Sequence, residues 1–418
     1  MTGSVRKRGK NWYYSFEAST VDGKRKRIEK VGGRTKKEAE TALRIALTEY
    51  ENAGLHFVPA DISVSDYMDY WFETYVLLNC KYNTQNGYER IIRLHIKPTL
   101  GIFKLKSLTP AILQSLINDK YSSGLSKNYL NGISNVLSGS LKYAVHPLGF
   151  IKSNPMQYVK SPKFEHTAND DLKIISSKDF NRIIERFPVG SSFYVPVMIG
   201  YYTGLRISEV MGLTWEDIDL ENETLDVNKI ILKRKFGWYF GSTKTKSSVR
   251  NIKIGKTLIN VLKDHKKWQI ENKLNYAQYY TQNYTTEEQD PINKLPLTRI
   301  HSLHLSVDPG EMKILNMICT KENGELVTPE TFKYPSRVIH NNLKISFNFH
   351  SLRHTHATIL IENGANIKDV QKRLGHSKIE TTLNIYTAAT EKMAERSVDI
   401  FEQATTNCLP KNNKCLRE

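Results

Sequence analysis

The sequence predicts three units in series: a small N-terminal β-sheet backed by one helix, an all-α domain, and a larger, mainly helical mixed α/β domain. Three observations lead there. At 418 residues the chain exceeds what one ordinary core organises. Strand-like runs occur near the N-terminus and again beyond residue 220, whereas 63–160 carries apolar residues at helical spacing with little strand signal. Two polar stretches, 54–62 with Pro59 and 160–173 with Pro162, separate these regions. The expected boundaries are 1–56, 62–160 and 174–405.

The first unit begins with Asn11-Trp12-Tyr13-Tyr14-Ser15-Phe16-Glu17, which reads as a strand. A turn at Asp22-Gly23 leads to a second basic run ending at Val31. Thr35 with Glu38 has the spacing of a capping box and opens a helix to about Asn52. Residues 1–37 hold twelve Lys and Arg against three acids. A basic sheet of this kind can lie in a major groove and set cations on phosphates. The residues expected to contact DNA are Arg6, Lys7, Arg8, Lys10, Tyr14, Lys24, Arg25, Lys26 and Arg27. A solvated basic surface or a protein-binding module would look similar.

In the second unit the spacing predicts helices over 64–76, 83–95, 110–122 and 127–144, with Asn83-Thr84 and Thr109-Pro110 as starts. Leu113, Leu116 and Ile117 recur at helical spacing and belong to a core. The third unit shows a strand over 225–232, then a hairpin over 238–254 with its turn at 244–248. The stretch 265–345 is weakly patterned, with Tyr276, Tyr279, Tyr280 and Tyr284 clustered in it. A further helix is expected over 391–404, docked either on its own chain or on a neighbour.

Composition narrows the function. Sixty Lys and Arg against 43 Asp and Glu give a net charge of +17, which attracts polyanions, nucleic acid foremost. At 39% hydrophobic and 10% aromatic the chain can build real cores, which excludes a disordered polymer. Cys80, Cys319, Cys408 and Cys415 are scattered and form no CxxC, so neither a disulfide framework nor a zinc knuckle is indicated. There is no apolar leader at the N-terminus and no run of eighteen apolar residues. The expected setting is a reducing bacterial cytoplasm, in association with DNA and not with a membrane.

Four segments carry candidate chemistry. In Thr203-Gly204-Leu205-Arg206-Ile207-Ser208-Glu209, helical spacing leaves Arg206 and Glu209 on one face, away from Ile207, Val210 and Met211. Thr243-Lys244-Thr245-Lys246 lies at the expected hairpin tip, where a lysine is ordinarily a solvated charge. In His350-Ser351-Leu352-Arg353-His354-Thr355-His356 a helix puts His350, Arg353 and His354 on one face. His at i and i+4 is metal-ligand spacing, but Ser351 stands where HExxH requires Glu, and Arg353 would repel a cation, so an anionic phosphate suits this face better. In Leu374-Gly375-His376-Ser377, Gly375 fits a helix stop; Tyr386 follows ten residues after the His and is the only tyrosine between 335 and 418. Each segment alone reads as surface charge or core.

As an ordered set, these motifs resemble the signature of the tyrosine recombinase (phage integrase) family, over about 174–400. The two upstream units resemble that family's arm-site DNA-binding and helical core-binding domains. The resemblance implies a site-specific recombinase that integrates and excises a phage or conjugative element. Arg206, Lys244, His350, Arg353 and His376 would surround the scissile phosphate, and Tyr386 would be the nucleophile that forms a 3′-phosphotyrosine. Glu209 would orient Arg206, and His354 would support the set. Lys244 is preferred to Lys246 because the family's lysine is the first of the TKT-type turn. No metal or nucleotide cofactor is implied. The implied partners are double-stranded DNA at core and arm attachment sites, three further copies of the chain in a tetramer, and accessory directionality or bending proteins. Two departures stand out: the long stretch before His350, which suggests an insertion, and Ala388 where a His usually follows the Tyr-Thr pair. A type IB topoisomerase shares much of this chemistry, and a degenerate DNA-binding regulator shares the fold.

Overall fold

The structure is a computed structural model that describes residues 3–17, 27–53, 62–164, 173–243, 246–292 and 294–386. The chain divides into two compact units, Met1–Glu165 and His166–Glu418. Among the described residues no helix is long and apolar enough to cross a membrane.

The first unit opens with β1 (Gly3–Arg8), β2 (Asn11–Glu17) and β3 (Arg27–Gly33), an antiparallel sheet in that order, followed by α1 (Lys36–Ala53). Thr35 and Glu38 form the expected reciprocal cap: the Thr35 hydroxyl accepts from the Glu38 N–H at 3.3 Å, and Glu38 Oε2 accepts from the Thr35 N–H at 3.3 Å. Tyr14, Phe16 and Ala46 form the core between sheet and helix. This corrects the expectation that Tyr14 faces DNA. Tyr14 and Phe16 sit two residues apart on one face of β2, and that face is the one α1 covers, leaving Tyr14 5% exposed. The turn at Asp22-Gly23 and the linker at 54–61 lie outside the described residues.

The helical part runs α2 (Val64–Trp71), α3 (Tyr82–Ile91), α4 (Pro110–Ser122) and α5 (Lys127–Val145). Both α2 and α3 continue through one π-helical turn, Phe72–Val76 and Ile92–Ile96, and so reach Asn79 and Leu100, further than their apolar pattern indicates. Ser63, Thr109 and Ser126 cap α2, α4 and α5 through their hydroxyls. Leu113, Leu116 and Ile117 are buried, as the spacing predicts.

In the second unit α6 (Ser177–Arg186) precedes α7 (Tyr194–Thr203), which is apolar nearly all round and lies in the main core. Gly204 ends α7 at φ 68°, and the short α8 (Ile207–Val210) follows. Two sheets come next, and both expected strand features are corrected. The run 225–232 is two strands, β5 (Thr224–Val227) and β6 (Lys229–Arg234), parted at Asn228, whose amide donates to Asp217 at 3.1 Å. β5 pairs with β4 (Ile218–Asp219) and β8 (Arg250–Lys253), whereas β6 pairs with β7 (Gly237–Ser242). The expected hairpin over 238–254 is therefore absent, since β7 and β8 belong to different sheets. The reversal falls earlier, at Lys235-Phe236, where Gly237 supplies φ 134°.

The weakly patterned stretch holds α9 (Lys256–Tyr276), the hairpin β9 (Thr281–Gln289) and β10 (Pro296–His304), and β11 (Lys313–Leu315). These strands extend the β6–β7 sheet to the order β11-β9-β10-β7-β6. Thr281, Gln282 and Asn283 are buried in β9 but polar, with Gln282 donating to Leu315 O and Asn283 to Gly324 O. An apolar alternation was never available to announce this strand. The chain continues through α10 (Lys333–Asn341), α11 (Phe349–Glu362), α12 (Ile367–Leu374) and α13 (Ile379–Tyr386). The helix expected over 391–404 lies outside the described residues.

Candidate active site

The site is assembled from the ends of short elements. Gly204 in the left-handed region turns the chain sharply out of α7 and sets Arg206 as the residue before α8. A side chain at Gly204 would strike Leu374 and His356 at 2.6 and 2.9 Å, so this close approach requires glycine. Glu209, 2% exposed, folds back on Arg206: Oε2 accepts the Arg206 N–H at 2.9 Å and Oε1 accepts Nη1 at 2.7 Å. The remaining Arg206 amino group, Nη2, leans on Gly375 O at 3.4 Å.

Asn348 caps α11 by accepting from the Ser351 N–H at 2.9 Å, and the helix presents His350, Arg353 and His354 on one side, as its period requires. Arg353 is 1% exposed. Its Nη1 donates to Gly204 O at 2.9 Å and its Nη2 to Leu374 O at 2.7 Å, which clamps the α7 terminus to the α12 terminus. Arg353 and Arg206 thus grip adjacent carbonyls, Leu374 and Gly375, from segments far apart in the chain. His376 follows immediately. Its Nδ1 pairs with the Thr382 hydroxyl at 2.9 Å, and its backbone carbonyl accepts from Gln371 at 3.0 Å. The His350 ring stands edge-on to His354 with centroids 4.7 Å apart.

The electrostatics are those of a cationic cluster short of counter-charge. Burial, then the Arg206 guanidinium, lowers the Arg353 pKa to about 9, so it stays charged at neutral pH. Burial, then Arg353 and Arg206, pushes His376 down to about 3. The packing around His350, then His354, Arg353 and Arg206, pushes it down to about 4 although the residue is exposed. Solvent moderates such a shift, but its direction leaves His350 neutral at pH 7, able to accept a proton. Glu209 is the acid that faces Arg206 here, and its charge is shared with Arg250. An anion entering beside Arg206 and Arg353 therefore meets uncompensated positive charge.

Lys244 lies outside the described residues, as does the side chain of Tyr386, whose backbone closes α13 in the turns that follow His376. In the N-terminal unit Lys24, Arg25 and Lys26 are likewise outside. Lys7, Arg8 and Lys10 are exposed, with Arg8 3.5 Å from Glu29. Arg6 forms a two-point pair with Glu29 at 2.7 Å, and Arg27 donates to Ser4 and Ser15 at 3.2 and 2.9 Å.

The sequence reading missed three residues. Arg250, 5% exposed, donates to Glu209, to Ser248 O and to Arg373 O. Its signal was present, since Arg250, Ile252 and Ile254 lie two apart and the two isoleucines are buried. Arg373 donates through Nε to His356 Nε2 at 3.1 Å, while His356 Nδ1 pairs with Tyr201 O at 2.9 Å. These partners require a neutral His356 carrying its proton on Nδ1. Burial and then Arg373 hold it at about 4.

His356 and His376 titrate in the folded chain well below the unfolded value of about 6.5, so between those values the unfolded state binds more protons. Stability is full above about pH 6.5 and is lost as pH falls toward 4. We expect the calorimetric melting temperature to drop between pH 7 and 4.5. His356→Gln should lessen the loss of unfolding free energy behind that drop by on the order of 2 kcal/mol, because Gln cannot take up the proton. An unchanged slope would remove His356 from this account.

The comparisons with known proteins agree with one another. The phage integrase family model matches residues 175–393, its N-terminal SAM-like domain matches 63–121, and an arm DNA-binding domain matches 4–50. The chain is 28% identical over 408 residues to a tyrosine recombinase described as XerC-like from Caldanaerobacter subterraneus subsp. tengcongensis, spanning 94% of this chain and 96% of that one. It is 25% identical to the ICEBs1 integrase of Bacillus subtilis, over 89% of this chain and 91% of that one. In fold it is similar to the Tn1549 transposon integrase in complex with a circular intermediate DNA, with a TM-score of 0.59 and 21% identity over 81% of this chain and 99% of that one. It is also similar to a lambda integrase bound to a core site, with a TM-score of 0.51 and 16% identity over 93% of this chain and 95% of that one. With the family model covering more than half of its length, the chain belongs to the phage integrase family and is a site-specific DNA recombinase of the tyrosine type.

Proposed function

We propose that Arg206, Lys244, His350, Arg353 and His376 enclose one scissile phosphate and that Tyr386 attacks it. The observation that carries this reading is the convergence of Arg206 and Arg353 on the consecutive carbonyls of Leu374 and Gly375, one residue before His376. Each guanidinium keeps N–H donors beyond those in use, and these fit the two non-bridging oxygens. Their hold strengthens as charge grows on those oxygens toward the transition state, which is where binding accelerates a reaction.

The step balances without a cofactor. The Tyr386 oxygen forms a bond to phosphorus, the bond from phosphorus to the 5′ oxygen breaks, His350 takes the phenolic proton, and Lys244 gives one to the departing 5′-hydroxyl. A free phenol has a pKa of about 10, so both the base and the surrounding cations serve to activate it. The 3′-phosphotyrosine keeps the bond energy, and a 5′-hydroxyl from another strand reverses the attack. His354 stands edge-on to His350 and supports its orientation.

Strand exchange between two duplexes requires four nucleophiles, so the working form is a tetramer on DNA. The domains are assigned as 1–56 on arm sites, 62–160 and 174–405 on the core site. Lys7, Arg8 and Lys10 are exposed on the first of these, where phosphates can reach them. The element is a phage or conjugative one, with integration or excision set by accessory directionality or bending proteins.

The test is a nicked suicide duplex carrying the end of the element that encodes the chain, incubated with full-length protein and chelator. A detergent-resistant covalent adduct on the 3′-phosphate left at the cleavage position is expected, with release of the short 5′-hydroxyl fragment that runs to the nick. An adduct at a 5′ end, or one that forms only with added divalent metal, would overturn the reading.

A further inference from the structure

We infer that Arg250 is a positioning residue for the recombination reaction: it neutralises Glu209 so that Arg206 keeps its charge for the scissile phosphate. The inference rests on the assignment of Arg206 to that phosphate.

Glu209 is buried with two arginines on it. Arg206 supplies its backbone N–H and Nη1, at 2.9 and 2.7 Å. Arg250 supplies Nη2 to Oε2 at 3.0 Å and Nη1 toward Oε1 at 3.4 Å. Burial alone would raise the Glu209 pKa, but the hydrogen bond and charge of Arg250, ahead of those of Arg206, hold it below the usual carboxylate value. Arg250 is thus a second, buried counter-ion of Glu209 beside Arg206, held on both carboxylate oxygens. Without it a buried carboxylate would hold Arg206 as its sole close cation, and the Arg206 charge would be spent inside the protein.

The geometry of Arg250 fits a fixed strut and not a mobile ligand. Its Nε donates to Arg373 O at 2.7 Å and its Nη1 to Ser248 O at 2.8 Å. The side chain is 5% exposed, against 30% for Arg206. A side chain on Gly375 would meet Arg250 Nη1 at 3.1 Å and Ser247 O at 3.0 Å, so the 246–248 turn, Arg250 and the Arg206 acceptor pack against one another. Arg250 also adjoins the segment that leads from Lys244, which gives the obvious alternative: it acts on the leaving group through that segment.

Substrate chemistry separates these. A methylphosphonate at the scissile position is uncharged and needs no guanidinium to offset oxygen charge. A bridging 5′-phosphorothiolate leaves as a thiolate and needs no proton. The full-length chain and its Arg250→Gln, Glu209→Gln, double and Arg206→Ala variants are compared on natural, methylphosphonate and phosphorothiolate suicide duplexes, each as a rate relative to wild type on that duplex. We expect Arg250→Gln to lose about 10- to 100-fold on the natural duplex. On methylphosphonate the deficit should shrink to a few-fold and on phosphorothiolate it should persist. The double variant should be no slower than Arg250→Gln alone. Arg250→Lys, which keeps a cation on Glu209, should recover most of the rate; if Arg250→Gln does not fold, Arg250→Met carries the same comparison. Relief on phosphorothiolate alone, or an equal deficit on all three duplexes, overturns the inference. If Arg206→Ala is itself not relieved by methylphosphonate, the fault lies instead in the assignment of Arg206.

Discussion

Replacing Tyr386 with Phe is expected to abolish the covalent protein–DNA adduct while leaving affinity for the core site within about two-fold. The change removes one oxygen and keeps the ring, which makes it a nearly volume-conserving replacement. Without that oxygen the reaction must fall back on water, which no longer stores the phosphodiester bond for religation. The measurement is adduct formation on the suicide duplex beside a gel-shift titration. An adduct that survives the substitution would show that another nucleophile does the work. Mixing Tyr386→Phe protein with Arg353→Ala protein adds a second reading. Recovery of adduct requires that the phenol of one protomer reach the phosphate pocket of another, whereas no recovery means that each protomer completes its own site.

Arg353→Ala is expected to reduce the single-turnover cleavage rate by about 10²–10³-fold or more, by analogy with loss of a preorganised oxyanion donor. The same substitution strikes the fold. Gly204 O and Leu374 O lose their donor in a buried setting, at a cost of about 1–3 kcal/mol for each carbonyl left unpaired. Rate and stability are therefore read together, with cleavage measured well below the variant's melting temperature. Arg353→Lys distinguishes the two roles. An ammonium keeps a charge in the pocket but cannot span both carbonyls and a phosphate at once, so it should recover part of the stability and little of the rate. A lysine variant with wild-type cleavage would show that a point charge suffices and that the guanidinium fork is not used.

Much of the site is legible in the amino-acid sequence, because its parts are local. His350, Arg353 and His354 are spaced at three and four residues and the helical period puts them on one face, whereas Arg206 is extended just before α8 and meets Glu209, three residues on, as its cap and not as a helical neighbour. Gly375 ends α12 in the left-handed region as its residue type suggests, and the Thr35–Glu38 cap forms as its spacing requires. The failures are pairings. A strand read over 225–232 proves to be β5 and β6 in different sheets, because alternation reveals which face is inward and not which partner a strand takes. Tyr14 was placed on DNA because the residues around it are basic, yet the helix that follows covers its face of β2.

The family, the order of the chemistry-bearing segments and the residue types available to hold a phosphate all follow from the linear string, since motif spacing and charge are properties of that string. Folding alone settled that Arg206 and Arg353 meet at consecutive carbonyls, that Arg250 shares Glu209 with Arg206, and that a polar strand such as β9 belongs in a sheet. Those facts depend on contacts between residues distant in the chain or on buried hydrogen bonds, which leave no periodic trace along it.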